Sequence, residues 1–459
     1  MPFSMKYTFK PSRLSPIAKI YAIAIPLSLI FMFSIGYMIT TDARSYFNAW
    51  QSLQNGNLDP LRTPVYPVIV GCIESIFGTV EFVKTREVVS EGGEVFSYFN
   101  EIAGPDSSLV AYSLVGLQFI VFLISLTYFY KLARMLTHSE RSSVGITLLY
   151  AIFIIFSGIN NKILTESISL SATIFFLYSF VQSIKKGSNL YVFSSLFWSL
   201  FLIFLRPSFL FIPCCTLFLG VCLLFINKYR KSAAKNIVAS FVVMLAVLVY
   251  CYQFKNEYGY FSPTLASVAN KYMVATSNSD IPTEACKIED DALRTHLLDL
   301  HALIRGEKVV RDYGVEAVDS LASSINASNR EQYFKNILKR LKSACVDYSI
   351  VWSSHKTGLF SSIQRGLKFK LGLELFVLLL YVVLIFYWRK SRPDEELIYL
   401  FFILMLSFSN WIVAIIAAPN EFSRLLMANV PLFFLLAADL VVRLVRRKRK
   451  KQAEETANQ

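Results

Sequence analysis

Apolar runs of membrane-crossing length, parted by short basic connectors, dominate the pattern of this chain. The first, Ile20–Ile39, is about twenty residues, enough for one crossing. Its apolar core is longer than that of a secretory signal, and no clear small-residue cleavage site comes after it, so it is read as a span. Further spans are expected at 109–130, 143–158, 166–184, 190–205, 207–227, 236–254, 370–388, 396–418 and 424–442. Of these, 143–158 and 190–205 are short.

Charge orders these spans. One set of connectors carries Lys131, Arg134 and Arg141, then Lys185 and Lys186, then Lys228, Arg230, Lys231 and Lys235, then Arg389, Lys390 and Arg392, and finally RLVRRKRKK. The alternate connectors hold only Lys162, Arg206 and Arg424 in their short forms. Ten spans with both termini cytoplasmic satisfy the positive-inside rule at every short loop. Two long exoplasmic segments result, 40–108 and 255–369. The second has helical runs, among them Asn329–Val346 with Tyr333, Phe334, Ile337, Leu338 and Leu341 on one face, and reads as a small helical cap. The expected fold is an all-α polytopic membrane bundle of about ten transmembrane helices. Its parts are a core over 1–254, the cap over 255–369, a C-terminal transmembrane module over 370–443 and a basic cytoplasmic tail over 444–459. No internal repeat is visible, which argues against a transporter of duplicated halves.

Composition agrees. The chain has 459 residues, 54% hydrophobic and 15% aromatic, with a mean hydropathy of +0.48. The formal charge of +14 punctuates apolar runs rather than forming a nucleic-acid surface. The seven cysteines lack metal-ligand spacing; Cys286 and Cys345 share one polar segment and could pair. His138, His296, His301 and His355 are scattered. No metal site and no cofactor is expected, although a divalent ion is compatible with the sequence.

The first long segment opens with TDARSYFNAWQSLQNGNLDPLRTPVYP, residues 41–67. Tyr46, Phe47, Trp50 and Leu53 recur at helical spacing, as in a helix lying in the interface with its rings at headgroup depth. Asn55-Gly56-Asn57 ends it, and Pro64 and Pro67 stiffen the next stretch of chain. The apolar PVYPVIVGCIESIFG suits a second interfacial helix.

Ionisable groups gather on that same side of the membrane. Asp42 and Arg44 follow span one, Arg62 lies in the loop, and Lys162 and Glu166 precede span four. Arg206 stands between spans five and six, and Glu421 and Arg424 precede the last span. Charged groups at membrane depth are costly and tend to be functional. Each has a plain alternative. Asp42 could cap a helix, Arg62 and Arg206 could anchor to lipid phosphates, Glu166 could answer a helix dipole, and Lys162 could touch headgroups. A G-x-G-x-x-G loop and an Asp-x-Asp pair for a nucleotide–metal complex are both missing from the sequence.

Asp42 with Tyr46, RTPVYP at 62–67, Thr165-Glu166, Arg206-Pro207, and Arg424 before Pro431 together resemble the GT-C superfamily of membrane glycosyltransferases. The branch of protein O-mannosyltransferases and lipid A aminoarabinose transferases is the most similar one. The resemblance covers roughly the first 255 residues well and the rest weakly. Many members carry Asp-Glu at the first site, whereas Ala43 follows Asp42 here. The resemblance implies a GT-C-like core of seven transmembrane helices with interfacial helices in the first loop. It implies inverting transfer of a hexosyl or pentosyl group from a polyprenyl-phosphate donor to an acceptor hydroxyl on protein, lipid or glycan. On that reading Asp42 is the general base and Glu166 orients base or acceptor. Arg206 or Arg424, ahead of Arg62, steadies the departing phosphate with Lys162. Arg44, Tyr46, Tyr66 and Glu421 position substrate. The expected location is a bacterial inner membrane with the site on the periplasmic side. A polymerase or ligase acting on polyprenyl-pyrophosphate glycans, and a lipid or solute transporter, are the competing readings.

Overall fold

A computed structural model describes residues 14–40, 42–89, 95–98, 101–276, 310, 314–328, 330–347, 370–388, 394–417 and 422–457. Helix α1 (Pro16–Ile35) begins where Ser15 accepts a bond from the Ala18 amide at 3.2 Å, with proline in the first turn, and ends at Gly36 with φ of +71°. A serine cap and a first-turn proline start a helix, and a left-handed glycine stops it. The span is therefore shifted about four residues toward the N-terminus from the expected 20–39. The chain then runs extended, and Met38 pairs with Lys162: the Met38 amide donates to the Asn161 carbonyl at 2.7 Å and Ile163 donates back at 3.2 Å. This short bridge ties the exit of α1 to the loop that carries Lys162 and Glu166.

The first long segment holds α2 (Ala43–Gln54) and α3 (Val65–Phe77). It also contains two antiparallel ladders that an all-α expectation omits. Strand β1 (Glu81–Val83) pairs with β4 (Glu101–Ala103), and β2 (Arg86–Val89) pairs with β3 (Val95–Tyr98). The sequence EFVKTREVV and VFSY around Gly92-Gly93 carries the alternation and branched residues that a ribbon needs.

The bundle continues with α4 (Pro105–Thr137), α5 (Glu140–Ser157), α6 (Thr165–Lys186), α7 (Asn189–Leu205), α8 (Phe211–Leu224) and α9 (Arg230–Tyr258). Helix α10 (Ala266–Thr276), α11 (Val315–Ser328) and α12 (Arg330–Val346) follow. Then come α13 (Leu371–Trp388), α14 (Asp394–Ala417) and, after a short helical lead-in from Phe422, α15 (Val430–Ala457). Eight helices among the described residues are long and apolar enough to cross a membrane, so the chain is an integral multi-pass membrane protein. The other two expected spans are also helices, but shorter apolar ones, at Asn189–Leu205 and Leu371–Ile385. The basic tail continues α15 as helix to Ala457.

Helix α6 is the axis of the bundle and is buried on all sides. Its polar residues are small, and their hydroxyls turn back on the helix: Ser169 donates to the Glu166 carbonyl, Thr173 to Ser169 and Ser183 to Phe180. Such back-bonding lets a hydroxyl sit in a dry interior without an unpaired donor.

The rings of α2 face protein rather than headgroups. Tyr46 and Phe47 are buried, in a cluster with Tyr66, Val70, Val110, Leu114 and Ile163. Tyr46 meets Tyr66 edge-on at 4.7 Å, and Phe47 meets Phe82 at 5.2 Å. The amphipathic period is real, but α3 and α4 cover its apolar face. The apolar face of α12 also divides: Ile337 and Leu341 pack on the main core, whereas Phe334 and Leu338 are exposed.

Trp50 lies directly over Gly71 of α3, where an added Cβ would come within 2.0 Å of its ring. Gly71→Ala therefore forces α2 off α3. Overpacking of this kind costs about 1–3 kcal/mol. The expected result is a clearly lowered melting temperature in detergent, with Gly145→Ala as the comparison, since nothing lies within 4 Å of Gly145 and its φ is not positive.

Candidate active site

Five separate segments deliver charge to one rim of the bundle. Asp42 stands at the N-cap position of α2, but its side chain makes no capping bond. The carboxylate is spent on arginines instead: Oδ1 accepts from Arg62 at 3.1 Å and Oδ2 meets Arg424 at 2.5 Å. Arg424 also donates through Nε to Glu166, in the first turn of α6. Glu166 is fully buried, and Arg206, in the link from α7 to α8, lies 3.5 Å from its Oε1. The result is a continuous relay, Arg62–Asp42–Arg424–Glu166–Arg206, whose middle arginine bridges both acids.

Each member is held from behind. Asp59 accepts from the amides of Leu61 and Arg62, at 2.9 and 2.7 Å, and so shapes the turn presenting Arg62. Arg62 donates from Nε to Ser45 at 2.7 Å and lies over the Tyr46 ring at 4.9 Å. Ser45 in turn donates to the Asp42 carbonyl. The loop is clasped from the end of α9: the Leu58 amide donates to both oxygens of Glu257, Tyr258 donates to the Leu58 carbonyl, and Leu265 donates to the Pro60 carbonyl at 2.7 Å. Under the other wall, Tyr66 donates to Gln118 at 3.2 Å, and Gln118 donates to the carbonyls of Asn160 and Lys162. Asn161 donates to the Gly36 carbonyl at 2.7 Å. Behind Arg424, Asn410 donates to the Leu425 carbonyl and to Asn429, while Asn429 and Trp411 donate to buried Glu374.

Among the described residues, the carboxylates of Asp42 and Glu166 face three guanidiniums and Lys162. Lys162 is 2% exposed, so it does not reach headgroups. Burial, only partly offset by Glu166 and reinforced by Arg424, pulls its pKa down to about 8. For Asp42 burial pushes the carboxyl up, but Arg424 and Arg62 together outweigh it and hold the group below the ordinary carboxylate range. Asp42 is thus an ionised acid held between two guanidiniums in the resting site.

Of the residues expected from sequence, Asp42, Arg62, Glu166, Arg206 and Arg424 converge, with Tyr46 under Arg62 and Lys162 within electrostatic range. Tyr66 is buried one layer behind, at Gln118. Arg44 lies on the first turn of α2, partly exposed. Glu421 lies outside the described residues, as do Cys286, His296, His301 and His355. His138 is remote from this rim, paired with Glu396. No group of three or more histidine, cysteine, aspartate or glutamate side chains suited to a metal converges among the described residues. Ser45, Gln118 and the Glu257–Tyr258 clasp carry no signal in the local sequence pattern. Asn160-Asn161, polar between two apolar runs, is the one visible sign of the inner wall.

No protein-family profile matches the chain, and no curated protein does. Solved structures do. The oligosaccharyltransferase of Archaeoglobus fulgidus in its apo form aligns with a TM-score of 0.51 at 14% identity, over 95% of this chain and 52% of that one. The archaeal oligosaccharyltransferase AglB from Archaeoglobus fulgidus, in complex with an inhibitory peptide and a dolichol-phosphate, aligns with the same score, identity and coverage. The chain spans about half the length of these proteins, and the likeness at this identity is one of fold.

Proposed function

We propose that this protein is a membrane glycosyltransferase that takes a sugar from a polyprenyl-phosphate donor and passes it to an acceptor hydroxyl. The observation that carries the reading is Arg424 bridging Asp42 and Glu166 at a rim that also gathers Arg62 and Arg206. An ionised Asp42 held by arginines suits a reaction in which one anionic group is bound and one proton is removed. The fold shared with oligosaccharyltransferases, one of them holding a dolichol-phosphate and a peptide, supports the same substrate class. Charge along the connectors supports a site on the exoplasmic side, with both termini cytoplasmic; in a bacterial inner membrane that side is the periplasm.

The resting geometry implies an order of events. With a guanidinium on each oxygen, Asp42 is a weak base. A donor phosphate competes for those same guanidiniums, because a planar fork matches phosphate as well as carboxylate. As Arg424 or Arg62 turns to the phosphate, Asp42 loses its partners and its proton affinity rises. The base becomes competent once the donor is seated. It then takes the acceptor hydroxyl's proton as the oxygen attacks the anomeric carbon, the C1–O bond breaks, and its electrons leave on the phosphate held by arginine. Glu166, fully buried, keeps Arg206 and Arg424 aligned.

The direct test supplies radiolabelled polyprenyl-phosphate sugars to purified protein in liposomes. Release of polyprenyl phosphate, dependent on acceptor, is expected. Turnover confined to polyprenyl-pyrophosphate glycans would replace this reading with that of a polymerase. Lys162 adds a pH dependence. Its folded pKa of about 8 lies below the 10.5 of an unfolded lysine, so between these values the unfolded chain holds more protons and stability rises with pH. Phosphate binding moves the opposite way, weakening as pH climbs through about 8, because the receptor loses a charge. Isothermal titration of farnesyl phosphate from about pH 7 to about pH 10 should show that decline in wild type. Lys162→Gln should flatten it.

A further inference from the structure

A second site lies at the far end of the bundle. There the last turns of α4, α6 and α8 meet the first turns of α14 and leave a cavity of about 430 Å³. It is remote from the acid–arginine rim: Glu166 opens α6 and Lys185 closes it, roughly 28 Å apart along the helix axis at about 1.5 Å per residue. The volume falls within the range of small-ligand sites. The walls are apolar, with Phe180, Ile184, Leu219 and Phe402 among them, and the two phenylalanine rings stack at 4.1 Å.

The charges at the mouth indicate the ligand. Glu395 is already taken by Lys228 at 2.8 Å and Lys185 at 3.5 Å. Glu396 is taken by His138 at 2.6 Å and Arg443 at 2.5 Å. Both acids that line the cavity are therefore satisfied by the protein's own cations. Arg134 lines it too, and its guanidinium has no ion-pair partner among the described residues. An aromatic-walled hollow with one uncommitted arginine at its lip is complementary to a hydrocarbon carrying an anionic head. We propose that this cavity binds an anionic, phosphate-bearing lipid, its chain against Phe180 and Leu219 and its phosphate on Arg134. The lipid could come from the bulk bilayer or be a polyprenyl phosphate, since both present the same chemistry. The proposal is independent of the transferase reading.

The test measures binding to the full-length protein in detergent by native mass spectrometry and by melting. The probes are dioctanoyl phosphatidylglycerol, dioctanoyl phosphatidylcholine, farnesyl phosphate and inorganic phosphate. At least one of the two anionic lipids should bind and raise the melting temperature, with phosphatidylcholine and inorganic phosphate much weaker. Arg134→Gln, at an exposed position, should weaken that binding about tenfold, the size of one charge-assisted hydrogen bond. Leu219→Trp should fill the cavity and abolish the component of binding that depends on Arg134. An Arg134-dependent response to phosphatidylglycerol identifies bulk lipid as the source, and an Arg134-dependent response to farnesyl phosphate alone identifies a polyprenyl carrier. Equal binding by wild type and Arg134→Gln overturns the proposal, as does a preference for phosphatidylcholine or inorganic phosphate. If Leu219→Trp does not melt cooperatively, Arg134→Gln decides alone.

Discussion

Arg424→Gln is expected to abolish sugar transfer and to lower the stability of the protein together, a coupling no other single change in the site should produce. The side chain answers two acids at once. Removing it leaves Glu166, fully buried, with Arg206 at 3.5 Å as its remaining ion pair and the Thr165 hydroxyl at 3.2 Å. Stripping one partner from a buried ion pair costs about 3–5 kcal/mol, because the remaining charge stays out of water. The lower part of that range is expected, since Arg206 remains. Loss of one preorganised donor to a departing oxyanion is worth about 10² to 10³ in kcat. Arg424→Lys should recover part of the stability and little of the rate, since one ammonium cannot span Asp42 and Glu166 as a fork does. Melting and single-turnover kinetics on the two variants check this. A stable Arg424→Gln protein with ordinary turnover would remove the bridge from the mechanism.

Asp42→Asn should separate binding from chemistry. The shape is kept, and neither arginine is stranded: Arg424 retains Glu166, and Arg62 retains Ser45 and the Tyr46 ring. The variant should therefore fold. Donor affinity should hold or improve, because a negative group that competed for both guanidiniums is gone. Turnover should fall by about 10² to 10⁴, the ordinary worth of a positioned general base. That pattern, kcat lowered without a rise in KM for the donor, marks an interaction made only in the transition state. Retained kcat would assign Asp42 a purely structural place in the relay.

The rim is legible in the sequence because charge is scarce there. Acids and arginines at the edges of apolar runs stand out, and the alternation of basic connectors alone puts Asp42, Lys162, Glu166, Arg206 and Arg424 on one side. The illegible part depends on which element covers which. The period of Tyr46, Phe47 and Trp50 announces an apolar face, but periodicity is the same whether lipid or α3 covers it. Lys162 reads as a headgroup contact until the Met38 bridge draws its loop beneath the rim. The β-ribbon is obscured by its surroundings, since four short strands are easily passed over among long apolar helices. The supporting bonds of Gln118, Glu257 and Tyr258 join residues far apart along the chain, which no local pattern encodes.

The clasp of Leu58 and Pro60 by Glu257, Tyr258 and Leu265 constrains how such a protein can be recombined. The second large loop is rooted in those residues, and the root grips the turn that aims Arg62. A chimera that exchanges the loop at a junction before Glu257 would discard the grip and misalign Arg62, however well the new loop folds. Grafts joined after Leu265 keep it. The outer loop can then vary between proteins of this architecture without disturbing the rim, provided its stem is inherited with the core.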